Sequence, residues 1–479
     1  MRTQFGCIPV TATDRRFPGV AIWQRAGEVA AAAPPGRDRV VDLLRGTSLA
    51  IVVAGHILMA VVVWNHGVPR VDNLLELVPE LAPLTWVLQV IPVFFAAGAI
   101  ANRSSFHAAT VRQEPWRIWM WARTRRLVRP VLYYLAIWIP IVFALSAAMG
   151  PAARPLERLS TQLLWFLGVY VLVVATTAAQ LRVARGGLWS VGALVLIVAV
   201  VDVGRFHGGG VAVASLNFFI VFFLAAVTGL VVRDLEGRWR LLGCVAAGAV
   251  GVNVVLVAFG PYPLSMVGLP GEEISNVGPP TLALALHAVA MVAVIGALWQ
   301  VLDVLCHRVR VWHAACALGG VAMTLYLWHL TAIFGVVVTQ HALDLDRPLV
   351  SDAWFWPATL VELVVCLVAV VIVVSVTAPL EYLPVPWLER PRAPALDRVW
   401  RTVAGQASVV LLAVGFLVLA ATGMAGFPFS RSRIYAGLAL TPGLGIVLVV
   451  VGTLAARAAG RPRQPECAAP GGSRPWHSS

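Results

Sequence analysis

The sequence predicts an all-α integral membrane protein, a polytopic bundle of about 10–12 transmembrane helices joined by short loops. Of its 479 residues, 59% are hydrophobic and only 12% are charged, and the mean hydropathy is +0.83. A soluble globular domain carries about 25% charged residues, so this composition lies far outside that class. Apolar runs of about 17–25 residues, the length that crosses a bilayer as a helix, also recur along the whole chain.

Twelve apolar runs are candidate membrane spans. They cover 47–66, 84–101, 130–149, 161–180, 187–204, 211–232, 240–259, 280–305, 314–340, 354–378, 405–424 and 434–457. The connections between them are short, which predicts one helix bundle without a sizeable soluble domain. The chain then divides into a disordered extension over 1–37, a transmembrane domain over 38–390, two additional transmembrane helices over 391–457 and a disordered tail over 458–479.

The placement of the arginines predicts the orientation of the chain. All 36 basic residues are arginine, and they collect in alternate connections between spans. If the N-terminus is cytoplasmic, the inside segments hold 29 of them, counting Arg240 and Arg457 at the adjoining span ends, and the outside segments hold seven. Basic residues are enriched in cytoplasmic loops, so we expect both termini to be cytoplasmic. The same rule explains the formal net charge of +13 without a nucleic-acid partner.

The loop after the second span is the richest in arginine. It contains Arg103, Arg112, Arg117, Arg123, Arg125, Arg126 and Arg129. These residues could anchor the topology against anionic lipid headgroups. They could equally form a binding surface for a polyanionic cytoplasmic ligand, because the guanidinium fork matches phosphate oxygens. The loop by itself leaves both interpretations open.

Two ionisable residues in the first span are candidates for chemistry, since charged and titratable groups in a bilayer are costly. Arg45 and His56 are eleven residues apart. On an α-helix this spacing returns to within roughly 20° of the same face and covers about 16 Å. A buried imidazole is a natural general base for a hydroxyl nucleophile. The alternative is a structural histidine that forms a hydrogen bond to a neighbouring helix.

Further polar residues could line a cavity for an acceptor molecule. Tyr326 and His329 are three residues apart in the ninth span, on nearly the same helix face. The loop 262–281 is either a re-entrant connection or a lid, and it contains Ser265, Ser275 and Asn276. Glu362 is an acid within a span for which the sequence suggests no partner. The six cysteines lack the spacing of a metal site, so we expect no metal.

Several strings resemble the bacterial integral-membrane acyltransferase 3 family. The first span contains DLLRGTSLAIVVAGH, which is similar to the family's first-helix signature of an Arg and a His separated by ten residues. Four later strings resemble family motifs in the same order, namely FFAAGAIANRSSF (94–106), RTRRLVRP (123–130), LLWFLGVY (163–170) and LYLWH (325–329). The segment with YPLSMVG and SNVGPPT (262–281) looks like the actinobacterial branch. The resemblance covers roughly residues 38–390.

The resemblance implies an enzyme of the bacterial plasma (inner) membrane. Such an enzyme transfers an acyl group, often acetyl, from acyl-CoA to a hydroxyl of a carbohydrate, glycolipid or natural-product acceptor. Carried over to this sequence, Arg45 and His56 are the essential pair, and Arg126 and Arg129 bind the donor. Acyl-CoA is then a co-substrate, and no tightly bound cofactor is expected.

A second interpretation is a secondary transporter or a flippase for a sugar- or lipid-linked substrate. Twelve spans and buried charges fit such a protein as well. Transporters are typically built from internal repeats with paired broken helices. The two halves of this sequence show no convincing self-similarity, which favours the enzyme.

The predicted topology can be tested by cysteine accessibility. In a background without the native cysteines, a single cysteine in loop 102–129 should react with an impermeant maleimide only after the cytoplasmic side is opened. A single cysteine in loop 262–279 should react in intact cells. Reaction of both positions from the same side would contradict the orientation.

Overall fold

Helices form most of the computed structural model, which describes residues 18–34, 36–65, 68–269, 273–348, 350–389, 397–429, 433–435 and 438–460. Ten stretches of this described chain are long and apolar enough to cross a membrane. The number rises to eleven if Leu282–Ala297 and Trp299–Cys306, which meet at 60°, are counted as one broken span. The protein is therefore a polytopic, all-α membrane protein, as the sequence predicts.

The regular elements have the following bounds. The α-helices are α1 (Pro18–Ala31), α2 (Arg39–Met59), α3 (Leu74–Leu77), α4 (Thr85–Leu88), α5 (Ile91–Val111), α6 (Trp116–Met149), α7 (Arg154–Leu159), α8 (Leu164–Ala175), α9 (Thr177–Val183), α10 (Gly187–Gly204), α11 (Gly210–Ala214), α12 (Asn217–Asp234), α13 (Trp239–Phe259), α14 (Leu282–Ala297), α15 (Trp299–Cys306), α16 (Val309–Gly320), α17 (Ala322–Ala342), α18 (Phe355–Tyr382), α19 (Pro386–Glu389), α20 (Arg398–Thr422) and α21 (Pro442–Gly460). Two antiparallel hairpins pair β1 (Ala60–Asn65) with β2 (Val68–Asn73) and β3 (Arg433–Tyr435) with β4 (Leu438–Leu440). Short 3₁₀ turns lie at Pro79–Leu84, Gly150–Ala153 and Ala184–Gly186, and a π turn lies at Arg205–Gly209.

The twelve predicted spans and the ten observed stretches differ in how they are divided. The stretch Trp116–Ala175 counts once among the ten. It contains α6 and α8, however, which are separated by a 3₁₀ turn and α7. Two predicted spans, 130–149 and most of 161–180, fall within this one stretch. The predicted span 280–305 corresponds to the bent pair α14 and α15, which is not among the ten stretches.

The first span begins and ends earlier than predicted. The prediction was 47–66, whereas α2 covers Arg39–Met59. Asp38 caps the helix, since its carboxylate accepts a hydrogen bond of 3.2 Å from the Val41 backbone N–H. At the other end the chain turns into the hairpin of β1 and β2. His56 is consequently three residues from the end of α2 rather than near mid-span.

The N-terminal segment differs from the expected disordered extension over 1–37. Residues Pro18–Ala31 form α1, which packs against α16. Ala26 and Ala30 pack with Trp312 in this contact, and the Trp312 indole N–H donates to the Ala30 carbonyl at 3.3 Å. Periodicity over so short a segment did not reveal the helix. Residues 1–17 and the tail 461–479 lie outside the described residues.

The last two helices also begin and end differently from the prediction. The final span was placed at 434–457, but α21 covers Pro442–Gly460. Proline suits the first position of a helix because its missing N–H has no partner there. α20 and α21 pack closely on each other, and a Cβ added at Gly415 would lie 2.9 Å from the Val449 backbone nitrogen. Small residues at such contacts allow helices to approach within a membrane.

Glu362, for which the sequence suggested no partner, belongs to a buried ion pair. Its carboxylate accepts two hydrogen bonds from the guanidinium of Arg347, at 2.7 and 2.8 Å. The two side chains are 6% and 8% exposed. Arg347 also reaches the Ala60 carbonyl at 3.5 Å. The pair therefore links α18 to the end of α2, close to His56.

Candidate active site

A cavity of about 2990 Å³ runs through the bundle. α2, α5, α6, α8, α17 and α18 contribute most of its polar lining, and the loop between α13 and α14 closes one end. We call this loop, residues 260–269 and 273–281, the roof. At the other end, arginines line the cavity, and we call them the arginine mouth: Arg25, Arg37, Arg45, Arg123, Arg126 and Arg129.

The roof and the arginine mouth lie at opposite ends of the bundle. Arg233, at the end of α12, lies 3.4 Å from Asp38, which caps the beginning of α2. α13 follows α12 and therefore begins at the same end as α2, where the arginine mouth is. The roof follows α13 after a helix of 21 residues. Such a helix is about 31 Å long, enough to cross the hydrocarbon core of a bilayer.

Two histidines from distant parts of the chain meet beside the cavity. His56 Nδ1 lies 2.9 Å from His329 Nε2, and the two rings stack at 5.1 Å with an interplanar angle of 9°. His56 lines the cavity, whereas His329 is fully buried behind it. His329 was expected to line the cavity itself. Instead it supports the histidine that does.

The hydrogen-bond partners of His329 determine the tautomers of both neutral rings. His329 Nδ1 lies 2.9 Å from the Leu325 carbonyl, which can only accept, so Nδ1 carries the proton. Nε2 of His329 is then an acceptor, and His56 must donate to it from Nδ1. The remaining nitrogen of His56, Nε2, therefore has a free lone pair. An imidazole held in this way can accept a proton from a molecule in the cavity.

Arg45 lines the same cavity, closer to the beginning of α2. Its guanidinium lies over the ring of Phe94 at 5.6 Å. Its Nε atom is buried and has no hydrogen-bond partner among the described residues. A buried unpaired donor is costly, and one that borders a cavity is poised for a ligand. Because α2 is continuous between the two residues, the predicted separation of about 16 Å from His56 stands.

Three arginines of α6 extend the arginine mouth along one helix. Arg123, Arg126 and Arg129 all line the cavity. Arg123 is fixed by neighbours, since its Nε donates to Asn102 Oδ1 at 3.1 Å and its Nη2 donates to the Ser105 hydroxyl. Arg126 is exposed, and Arg129 is partly buried. The mouth thus presents several guanidinium groups to one region of the cavity.

Two carboxylates also line the cavity: Asp42, which pairs with Arg37 at 2.6 Å, and Glu381. The Glu381 carboxylate is the one that contacts α17. It accepts hydrogen bonds from the Thr324 hydroxyl at 2.7 Å and from the Thr324 backbone N–H at 3.3 Å. Thr324 is in the first turn of α17, where backbone N–H groups lack partners within the helix. Glu381 therefore caps α17 and fixes the start of the helix that carries His329.

The aromatic wall beside His56 comes from α8 and α17. Tyr326 lines the cavity, and its hydroxyl donates to the Leu163 carbonyl. Phe166 contacts Tyr326 at 5.5 Å between ring centroids and Tyr170 at 6.1 Å. These aromatic side chains pack on one another and make the wall of the cavity beside His56 apolar.

Of the three polar roof residues proposed from the sequence, the structure brings one to the cavity. Ser275 lines it, whereas Ser265 and Asn276 do not. Asn276 is fully buried, and its amide donates to the carbonyls of Pro263 and Ser265 at 2.8 and 2.9 Å. The Ser265 hydroxyl is bonded within the loop, to the Val267 carbonyl at 2.9 Å. These two residues hold the roof in shape.

A buried carboxylate ties the roof to the helices below it. Asp202 accepts hydrogen bonds from Tyr262 at 3.0 Å, Asn217 at 3.1 Å and the Leu282 backbone N–H at 2.6 Å. Burial, together with the charge of Asp202, raises the pKa of Tyr262. The phenol therefore stays protonated and remains a donor. These bonds attach the described part of the roof to α10 and α12.

The sequence motifs meet at this cavity. The string at 94–106 supplies Phe94 beneath Arg45, and its Asn102 and Ser105 hold Arg123. The string at 163–170 supplies the aromatic wall, and the string at 325–329 supplies Tyr326 and His329. Sequence reasoning missed Phe94, Asn102 and Ser105 as individuals, although they lie within a string that it singled out. It also missed Arg25 and Arg37, which flank the expected transmembrane domain.

Comparison with known proteins gives one match. A family model described as an acyltransferase domain, that of acyltransferase 3, matches residues 38–378. The match includes both histidines and Arg45, Arg126 and Arg129, and it leaves α1, α20 and α21 outside. No curated protein and no solved structure matches the chain. Within the described residues, no group of three or more His, Cys, Asp or Glu side chains is placed to hold a metal ion.

The tautomer assignment can be tested by nitrogen NMR. In protein labelled with ¹⁵N-histidine, His56 and His329 should both carry the proton on Nδ1 in their neutral forms, because of the chain of hydrogen bonds from His56 to the Leu325 carbonyl. The signals are assigned by their loss in His56→Gln and His329→Gln, and exposed His307 serves as the reference. A protonated Nε2 on neutral His56 would contradict the arrangement.

Proposed function

The chain belongs to the acyltransferase 3 family, and we propose that it transfers an acyl group, most simply acetyl, from acyl-CoA to a hydroxyl of a carbohydrate, glycolipid or related acceptor. One observation carries the proposal: a single cavity has guanidinium groups at one end and the free lone pair of His56 towards the other. The guanidinium groups suit a polyanionic donor, and the lone pair of His56 suits proton abstraction. Family membership favours this enzyme over the transporter or flippase considered from the sequence.

The arginine mouth is the proposed site for the phosphates of CoA. CoA carries several phosphate charges, and Arg–phosphate pairs form strong, charge-assisted hydrogen bonds. Arg126 and Arg129 are partners for these phosphates, and Arg45 offers its unpaired Nε. Since CoA is a cytoplasmic molecule, the arginine mouth then faces the cytoplasm. This orientation agrees with the distribution of arginines along the chain and with a bacterial plasma membrane location.

The separation of Arg45 and His56 divides their roles. At about 16 Å from His56, Arg45 is too distant to stabilise charge at the reacting carbonyl. It suits the donor's phosphates or the upper part of its pantetheine arm. That long, flexible arm then carries the thioester along α2 to His56. The acceptor approaches from the roof end, where Ser275 lines the cavity.

The chemistry at His56 follows from its free Nε2. As the acceptor hydroxyl attacks the thioester carbonyl, its oxygen forms the new C–O bond and Nε2 takes its proton. Collapse of the tetrahedral intermediate breaks the C–S bond. The departing thiolate of CoA takes the proton back from His56, so that ester, free CoA and neutral histidine result.

His329 acts as a positioning residue in this mechanism. Its Nε2 accepts from His56 Nδ1, which keeps the His56 lone pair directed at the cavity. When His56 is protonated, the same bond becomes charge-assisted and therefore stronger. The Leu325 carbonyl keeps His329 in the required tautomer, as the Asp carboxylate does for the histidine of a Ser-His-Asp triad.

The role of His56 is tested by conservative replacement. His56→Gln keeps a similar size and hydrogen-bonding capacity but cannot accept a proton at neutral pH. We expect the rate of acyl transfer from labelled acetyl-CoA to fall about 10²–10⁴-fold, the usual contribution of a general base. Membrane insertion and CoA binding should remain near those of the native protein. His307→Gln, at an exposed position outside the cavity, is the matched control. Substantial transfer by well-expressed His56→Gln would rule out the general base.

The donor site is tested at the arginine mouth. Arg126→Ala and Arg129→Ala should each weaken acyl-CoA binding by about 1.5–3 kcal/mol, the range for hydrogen bonds to charged groups. Lysine at either position should restore only part of the lost binding free energy, because its ammonium is a point charge without the planar fork of a guanidinium. Arg125→Ala is the control, since Arg125 is exposed on the same helix and does not line the cavity. An unchanged KM for acyl-CoA in both alanine variants would leave these arginines as topology anchors.

A further inference from the structure

Part of the cavity that contains His56 is lined by apolar residues of α8, α12 and α20, and we call this part the apolar groove. On α8, Trp165 and Leu172 line it. Seven residues separate them, which places them on one helix face about 10 Å apart. Phe166 and Tyr170 lie on the opposite side of α8, within the cavity beside Tyr326. The cavity therefore borders α8 on two sides.

α20 forms one bank of this groove. Five of its residues line the cavity, and four of them recur at positions i, i+3, i+4 and i+7, which is one face of a helix: Val414, Leu417, Val418 and Ala421, with Ala420 as the fifth. α20 packs tightly on α8, since a Cβ added at Gly168 would lie 2.9 Å from the Ala413 carbonyl oxygen. Phe219 of α12 lines the other bank. All of these residues are apolar, and Val414 is 42% exposed.

The groove joins the inner cavity around the beginning of α8. Leu159, Gln162 and Leu163 line the cavity there, at the last turn of α7 and just before α8. Gln162 is exposed, and it contributes an amide between two apolar regions. A molecule that follows this path has an apolar part along α8 and a polar part at the start of α8. From there it reaches the wall beside His56.

We propose that this groove binds the alkyl chain of a membrane-anchored acceptor, so that the substrate of the proposed acyl transfer is a lipid-linked hydroxyl compound. The proposal rests on the function given above. α8 begins towards the roof end of the bundle, because Trp165 in its first turn contacts Phe218 at 6.1 Å between ring centroids. Phe218 is next to Asn217, which bonds to Asp202 beneath the roof. This end is the outer side in the proposed orientation. An outer-leaflet lipid has its headgroup there and its chain directed towards the membrane centre. Its chain lies along Trp165 and Leu172, and its headgroup bends over the start of α8 to His56.

The geometry favours the acceptor's chain over the acyl chain of the donor. The donor's thioester reaches His56 from the arginine mouth, within the inner cavity. A long acyl chain on this thioester would then have to pass from the inner cavity out into the groove. That is opposite to the direction in which the groove leads an acceptor to His56. The volume of about 2990 Å³ also exceeds the roughly 300–1,000 Å³ of an ordinary small-molecule site. It suits two substrates, one of them extended.

Ala421→Trp tests the proposal, because an indole at this exposed lining position fills the groove without disturbing His56. Val368→Trp on α18, at a residue that is 54% exposed and outside the cavity lining, is the matched control. Both proteins are reconstituted in nanodiscs and labelled with a dodecyl glucoside that carries a diazirine on its chain. We expect labelled peptides from α8 and α20, a several-fold loss in Ala421→Trp and no loss in Val368→Trp. Uniform labelling of exposed helices, unchanged by Ala421→Trp, would overturn the groove. Displacement of the probe by palmitoyl-CoA would assign it to the donor's chain instead.

A second measurement separates the groove from the proposed function. Membranes from the producing cells, containing either variant, receive acetyl-CoA labelled in the acetyl group. We expect the label in the fraction extracted by chloroform and methanol, with several-fold less for Ala421→Trp than for Val368→Trp. Label confined to water-soluble products would overturn the lipid-linked acceptor. No transfer to either fraction would count against acyl transfer itself, and the photolabelling would still decide the groove.

Discussion

The hydrogen bond between His56 and His329 is the contact on which the arrangement of the cavity depends. It joins residues 273 positions apart and requires α17 to lie at one height and rotation relative to α2. Several polar contacts fix α17 there. Glu381 caps its first turn, Tyr326 bonds to the chain before α8, and Thr331 accepts from Trp138 of α6 at 3.2 Å. Because the hydrophobic effect gives little preference between helix contacts in lipid, such polar contacts can select one packing.

Polar groups buried in the bundle are paired in ways that serve the cavity. The ion pair of Arg347 and Glu362 holds the end of α2, and Asp202 holds the roof through three donors. In each case loss of one partner would leave the other buried without compensation, which is costly in a medium without water. Some buried polar atoms have no partner among the described residues, including Arg45 Nε, Arg347 Nη1 and Asn217 Oδ1. Of these three, Arg45 lines the cavity, where a ligand could bind its Nε.

The sequence predicted the membrane bundle and the shared helix face of Arg45 and His56, because both depend on local periodicity. It could not predict the contact of His56 with His329, which arises from the packing of distant helices. For the same reason Glu362 had no evident partner, and Asn276 was expected at the cavity although it fills the roof. α2 begins and ends earlier than predicted, because Asp38 caps its start and the hairpin of β1 and β2 follows its end. Neither feature can be recognised from the apolar content of the sequence.

If the proposed acyl transfer holds, α2 also has a consequence for which donors the protein can use. Between Arg45 and His56 it is an unbroken helix, and Arg347 of the buried ion pair contacts the Ala60 carbonyl at its end. In the proposed mechanism, the distance from Arg45 to His56, and with it the length of donor arm that fits, is set by the helix backbone. A donor with a truncated arm would leave its carbonyl short of the imidazole even when its phosphates are bound. Insertion of one residue in this interval would turn the imidazole by about 100°, away from the cavity. Selection among thioesters would in this way depend on the length of the arm, before the identity of the acyl group matters.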